Sequence, residues 1–155
     1  MGKKKIIVLG AGLVGGAIAA DLAGRYDVTA VDLREEALKA VAPKGVKPLQ
    51  ADLSVPGAVG RIVKAYDLVV GAVPGFMGYH TVRDVIRAGK DMVDISFFPQ
   101  DPFGLDEEAK EKGVQVVIDA GVAPGMSNIF LGYYDAVMEV DSYVCYVGGL
   151  PVIRE

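Results

Sequence analysis

Three glycines, Gly10, Gly12 and Gly15, stand between the apolar run Lys5–Leu9 and a stretch of helical spacing, Ala17–Ala23, that closes at Gly24. Such a loop brings backbone close to a ligand. The first glycine permits a tight turn, the second clears space beside the main chain, and the third lets the helix pack on the strand. With Ala11, Leu13 and Val14 between them, the free N–H groups and the positive end of the helix face outward, which suits a pyrophosphate. An acid, Asp32, closes the next apolar run about twenty residues on, where this arrangement holds a ribose. Loop, strand, helix and acid in one register predict a nicotinamide-dinucleotide site. Asp32 favours NAD, because a carboxylate accepts hydrogen bonds from ribose hydroxyls and repels a 2′-phosphate. Arg34, beyond Leu33, keeps NADP open: it can pair with that phosphate, stack on adenine, or simply stand solvated in a first helical turn.

The elements that must position these residues alternate strand and helix. Lys5–Leu9, Asp27–Leu33, Lys47–Ala51, Asp67–Ala72, Asp91–Ile95 and Val114–Asp119 read as six strands, apolar or β-branched and bounded by turn residues. Between them, helices are expected over Arg34–Ala42 (stopped by Pro43) and from a Ser54 cap past Pro56 to Ala65. Further helices are expected over Tyr79–Ala88, after a Pro-Gly loop Val73–Gly78, and over Asp106–Lys112, ended by Gly113. Long strand-to-strand steps require crossovers, so the fold class is α/β: a doubly wound parallel sheet of six strands, order 3-2-1-4-5-6, with helices on both faces.

Ligands bind at the carboxyl ends of strands in such sheets. Asp52 and Leu53 after the third strand are candidates for adenine contact, or Asp52 merely leads the next helix. Ala72, Val73 and Pro74 after the fourth strand should run beside the middle of the cofactor and the nicotinamide ribose. Ser96 could hydrogen-bond the carboxamide or a substrate. His80, the one histidine, and Asp119, at the tip of the sixth strand, are the acid–base candidates. Each has a plainer role available, His80 at a helix N-terminus and Asp119 tying down a loop. Tyr79, Tyr133, Tyr134 and Tyr143 show no Tyr-x-x-x-Lys spacing, which argues against that form of dehydrogenase chemistry.

Composition narrows the class. A 52% hydrophobic fraction fits strands covered on both faces. A net charge of -4 speaks against nucleic acid or an anionic membrane as partner, and Lys3–Lys5 reads as a solvated lead-in. One cysteine, Cys145, excludes an internal disulfide and a multi-cysteine metal site, and no metal is expected. With no signal peptide or membrane-length apolar run, a cytoplasmic location is expected. After the loop Ala120–Asn128 come a predicted helix, Ile129–Glu139, an alternating strand-like run, Asp141–Val147, and a turn at Gly148–Pro151. We therefore expect residues 1–140 to form the dinucleotide-binding domain and 141–155 to begin a second domain of a longer protein.

Val8–Gly15, Val117–Asn128 (VIDAGVAPGMSN) and Tyr146–Pro151 (YVGGLP) together resemble the saccharopine dehydrogenase family, with lysine-type dehydrogenases the nearest in pattern. The resemblance implies a Rossmann domain followed by a substrate-binding domain, in a homodimer. It implies oxidation at a carbon–nitrogen bond of an amino-acid or amine substrate, with imine hydrolysis following. It assigns Gly10, Gly12, Gly15 and Asp32 to the cofactor, and Ala72–Pro74 and Ser96 to the nicotinamide side. Gly121, Pro124, Gly125 and Asn128 fall in the loop that closes the active site, and His80 falls where some members place a histidine. Alone, such a chain should bind cofactor and turn over little. The alternative is a dinucleotide-sensing module without catalysis.

Overall fold

The computed structural model describes residues 2–148. Its centre is a six-stranded parallel sheet of order β3-β2-β1-β4-β5-β6. The strands are β1 (Lys5–Leu9), β2 (Asp27–Asp32), β3 (Lys47–Gln50), β4 (Leu68–Gly71), β5 (Met92–Asp94) and β6 (Val116–Val117). The helices are α1 (Leu13–Ala23), α2 (Glu35–Val41), α3 (Ala58–Val63), α4 (Gly75–Arg87), α5 (Asp106–Lys112) and α6 (Met126–Val137), with short 3-10 turns at Ala42–Lys44 and Pro102–Leu105. The expected order and fold class are those observed.

The central strand explains the two-sided core. β1 pairs in register with β2 (Val8 opposite Ala30) and with β4 (Val8 opposite Val70), so its side chains alternate between two buried faces. Ile6 and Val8 pack with Ala19, Val28, Leu38 and Val41 under α1 and α2. Ile7 and Leu9 pack with Val63, Val69, Val85 and Ile86 under α3 and α4.

Several boundaries differ from the sequence reading, each for a local reason. α4 starts at Gly75, with Pro74 as its N-cap, where a Pro-Gly loop is expected to run to Gly78. Those glycines serve contact inside the helix: a Cβ on Gly75 would collide with the Phe97 carbonyl, and one on Gly78 with the Ser96 hydroxyl. Ser54 does not cap α3. Its N–H and hydroxyl both donate to Asp52 Oδ1, at 2.8 and 2.6 Å, and the left-handed Gly57 (φ 74°) is the N-cap instead. β6 is only two residues long and α6 begins at Met126. The expected strand Asp141–Val147 is not formed, because the run pairs with no edge of the sheet. The predicted turn at Gly148–Pro151 lies largely outside the described residues.

Ile86 carries the α4 face of the core at 1% exposure. Ile86→Ala should lower stability by about 2–5 kcal/mol through lost burial and a residual cavity, read as a lower denaturant midpoint with an unchanged slope.

Candidate dinucleotide site

The β1–α1 turn is built on contacts only glycine allows. Gly10 has φ 100°, and a Cβ there would meet the Ala72 carbonyl. At Gly15 a Cβ would collide with the Gly10 carbonyl and press on the Ala72 methyl. Gly12 is different: a Cβ there would find nothing nearer than the Arg34 guanidinium, at 3.8 Å. Its missing side chain therefore leaves open space in front of α1. Gly12 is also the N-cap of α1, and no side chain caps the helix, so its first amides stay available to an anion. These residues fit a pyrophosphate.

Asp32 ends β2 beside this turn. Its Oδ2 accepts the Ala11 N–H at 2.9 Å, and its Oδ1 accepts the Arg34 N–H at 2.9 Å and Nε at 3.2 Å. Burial pushes the carboxyl up, but the Arg34 side chain and the amides of Arg34 and Ala11 outweigh it and hold the group below its ordinary value. Asp32 is thus an ionised acceptor at neutral pH. A cleft of about 570 Å³ opens beside it, lined by Gly10, Asp32, Leu33, Leu53, Val73 and Pro74 among others. Arg34 also borders a second cavity, of about 510 Å³, between α1 and α2. The structure therefore brings Gly10, Asp32, Leu33, Arg34, Asp52, Leu53, Val73 and Pro74 around one opening. Ala11 is buried, while Leu13 is 98% exposed and Val14 is exposed at the start of α1. Ala72 is partly buried and packs with the α1–α2 side of the core.

The remaining candidates part company. His80 borders a cavity between α4 and the loop after β3, shared with Leu53–Gly57 and Arg83. Ser96 is buried, and its hydroxyl donates inward to Asp94 Oδ2 at 2.5 Å rather than into the cleft. Asp119 sits exposed after β6 with φ 53°, a left-handed conformation that acids tolerate better than most residues. In the following loop, Gly125 (φ 138°) folds against Gly121, and a Cβ on it would strike the Gly121 backbone. Asn128 is occupied locally, accepting the Gly125 N–H at 3.2 Å, and Pro124 follows a cis peptide. Among the described residues no group of three or more His, Cys, Asp or Glu could hold a metal, and no helix is long and apolar enough to cross a membrane.

The sequence reading names Ser96 but passes over Asp94. Asp94 is 0% exposed at the end of β5, its Oδ2 accepts the Ser96 N–H and hydroxyl, and its Oδ1 has no partner. The signal was present as one acid closing an otherwise apolar strand.

The parallel order and the glycine turn define a Rossmann domain of the dehydrogenase type. Comparison with known proteins narrows the class. The chain belongs to the saccharopine dehydrogenase family: the family model described as "Saccharopine dehydrogenase NADP binding domain" matches residues 6–117. A saccharopine dehydrogenase [NADP(+), L-glutamate-forming] of Saccharomyces cerevisiae is 24% identical over 96% of this chain, which spans 35% of that protein. Mouse alpha-aminoadipic semialdehyde synthase, a mitochondrial protein, is 25% identical over 96% of the chain and 17% of its own length. The solved apo saccharopine dehydrogenase (L-Glu forming) of S. cerevisiae superposes with a TM-score of 0.75 at 25% identity, covering 86% of this chain and 31% of that one. This chain is thus about a third of the length of the yeast relative it matches.

Asp94 gives a stability prediction. Burial pushes its pKa from 3.8 to about 6, Ser96 pulls it down, and the charge of Asp119 pushes it up. The native state therefore favours the protonated acid, and stability falls as pH rises from about 4 through about 6. Asp94→Asn should be more stable than the wild type at neutral pH, by at most about 3 kcal/mol, with the gain vanishing below about pH 4. Urea unfolding across that range checks this, and a pH-independent difference would refute it.

Proposed function

We propose that this chain is the cofactor-binding part of an NAD(P)-dependent dehydrogenase. The reaction is oxidation of the carbon–nitrogen bond of an amino acid of lysine or saccharopine type, after which water hydrolyses the imine. The observation that carries this reading is the Gly10–Gly15 cradle with ionised Asp32 beside it, in a chain of this family. On this reading residues 1–140 bind the cofactor and 141–155 begin the substrate-binding part of a cytoplasmic homodimer. The relatives' greater length supports that division, as does α6, which buries none of its residues.

Bound in the cleft, the nicotinamide supplies the hydride acceptor. The protein's own share is placement and exclusion of water. The α1 amides and helix dipole would take the pyrophosphate, with Gly12 clearing its path. Asp32 would accept from the adenosine ribose, and Val73 and Pro74 would support the span toward the nicotinamide. Asp119 stands exposed at the β6 end, a position from which a carboxylate attracts a cationic amine.

NAD is the cofactor we favour, although the yeast relative carries NADP(+) in its name. Asp32 and Arg34 are tied to each other, so the choice turns on which of them meets the ribose. A 2′-hydroxyl can donate to Asp32 without displacing the Ala11 amide, whereas a 2′-phosphate must draw Arg34 off its carboxylate partner. Parallel calorimetric titrations with NAD⁺ and NADP⁺ test both points. Asp32→Ala should weaken NAD⁺ about tenfold or more and erase the preference, and Arg34→Ala should weaken NADP⁺ more than NAD⁺. Binding of neither dinucleotide to the wild-type chain would sink the reading.

A further inference from the structure

Asp94 takes no part in the glycine cradle, yet the fold goes out of its way to house it. A buried carboxylate oxygen without a partner is costly and calls for a reason. Space for it comes from two glycines: a Cβ on Gly71 would stand on Asp94 Oδ1, and one on Gly78 would stand on its partner Ser96. No cation answers its charge among the described residues. β4 presents Gly71 to it, and the segment after β5 presents Ser96. On α4, Tyr79 packs edge-on against His80 and Phe98, His80 borders the cavity beside Leu53–Gly57, Arg83 lies 3.7 Å from Asp84 with its buried Nε unpartnered, and Arg87 pairs with Glu108. On α5, Lys110 pairs with Asp106 and Glu107. Among the described residues, the charge that raises Asp94 is that of another acid, Asp119. The carboxyl edge of β5 and β6 therefore carries negative charge with no counter-ion.

In a doubly wound sheet of this order, one mononucleotide half of the cofactor lies over β1–β3 and the other over β4–β6. With Asp32 on the adenosine side, the β4–β6 half receives the nicotinamide. We propose that Asp94 supplies a buried negative charge to the nicotinamide half of the cleft and so favours the oxidised, cationic ring over the reduced, neutral one. The inference rests on the dinucleotide reading above. Asp94 acts through its field, touching neither ring nor substrate, and is a positioning residue in the electrostatic sense.

The pH dependence has a fixed sign. Burial raises Asp94 to about 6, so the charge is largely absent at about pH 5 and present at about pH 7.5. The affinity for NAD⁺ relative to NADH should rise across that interval, by about threefold to tenfold, the size of an attraction partly screened by water. By linkage, NAD⁺ should pull the proton from Asp94 as it binds near pH 6, while NADH should not.

The experiment is calorimetric titration of the full 155-residue chain with NAD⁺ and NADH at about pH 5, 6 and 7.5, in two buffers of different ionisation enthalpy. The wild type should show the rising ratio and proton release with NAD⁺ alone. Asp94→Asn should show a flat ratio and no release. A purely structural role would weaken both ligands alike and leave their ratio unmoved. A flat ratio in the wild type, without proton release, overturns the proposal even if the variant fails to fold, and so does a rising ratio that survives in Asp94→Asn. Failure of the wild type to bind either ligand would overturn the dinucleotide reading, and this inference with it.

Discussion

The close approach of α1 to the ends of β1 and β4 is the constraint on which the rest of the structure hangs. Gly15 lies directly on the Gly10 carbonyl, and Gly10 on that of Ala72, so two glycines let a helix begin where any side chain would hold it off. Because α1 begins there, its uncapped end borders the cavity between α1 and α2, beside Arg34. Because β1 lies in register between β2 and β4, the amide of Ala11 falls within reach of the Asp32 carboxylate. The glycine turn and the placement of Asp32, our proposed phosphate cradle and ribose acceptor, are thus consequences of one packing contact. A larger residue at Gly15 would disturb both without touching a ligand.

Two acids at strand ends show how environment separates identical side chains. Asp32 meets two amides and a guanidinium, and these outweigh its burial and keep it ionised. Asp94 meets one serine and a second acid, and burial wins. The first is an acceptor whose charge is compensated. The second holds an uncompensated charge at a cost in stability, and groups kept at such a cost are found mainly where function uses them. The two close strands in opposite halves of the sheet, β2 and β5.

Sequence alone made the fold legible where local pattern and tertiary demand agree. β1 and α5 have the expected bounds, and the strand order follows from six buried runs separated by crossovers. The glycine loop was readable because its spacing reports a backbone requirement rather than a side-chain preference. Illegible were the places where a residue answers to a distant neighbour. Gly75 and Gly78 look like loop residues until Phe97 and Ser96 are seen against them. Ser54 looks like a helix cap until Asp52 takes both its donors. His80 follows the fourth strand in sequence but borders the loop after the third. Asp141–Val147 alternates like a strand, yet alternation needs a partner edge, and β6 offers only two residues of pairing.

The carboxyl edge of the sheet also carries an apolar rim. Leu13 after β1, Phe76 after β4, Phe97 after β5 and Val122 after β6 are 98%, 81%, 71% and 74% exposed. Single exposed apolar residues are ordinary, but these follow four neighbouring strands at the edge where ligands bind. Water reaches the cleft past this rim, and hydride transfer requires it excluded, so the rim needs a cover. Relatives about three times as long have chain enough to cover it. This supports the division of labour proposed here, in which the present chain recognises and biases the cofactor while the dry environment needed for hydride transfer comes from further polypeptide.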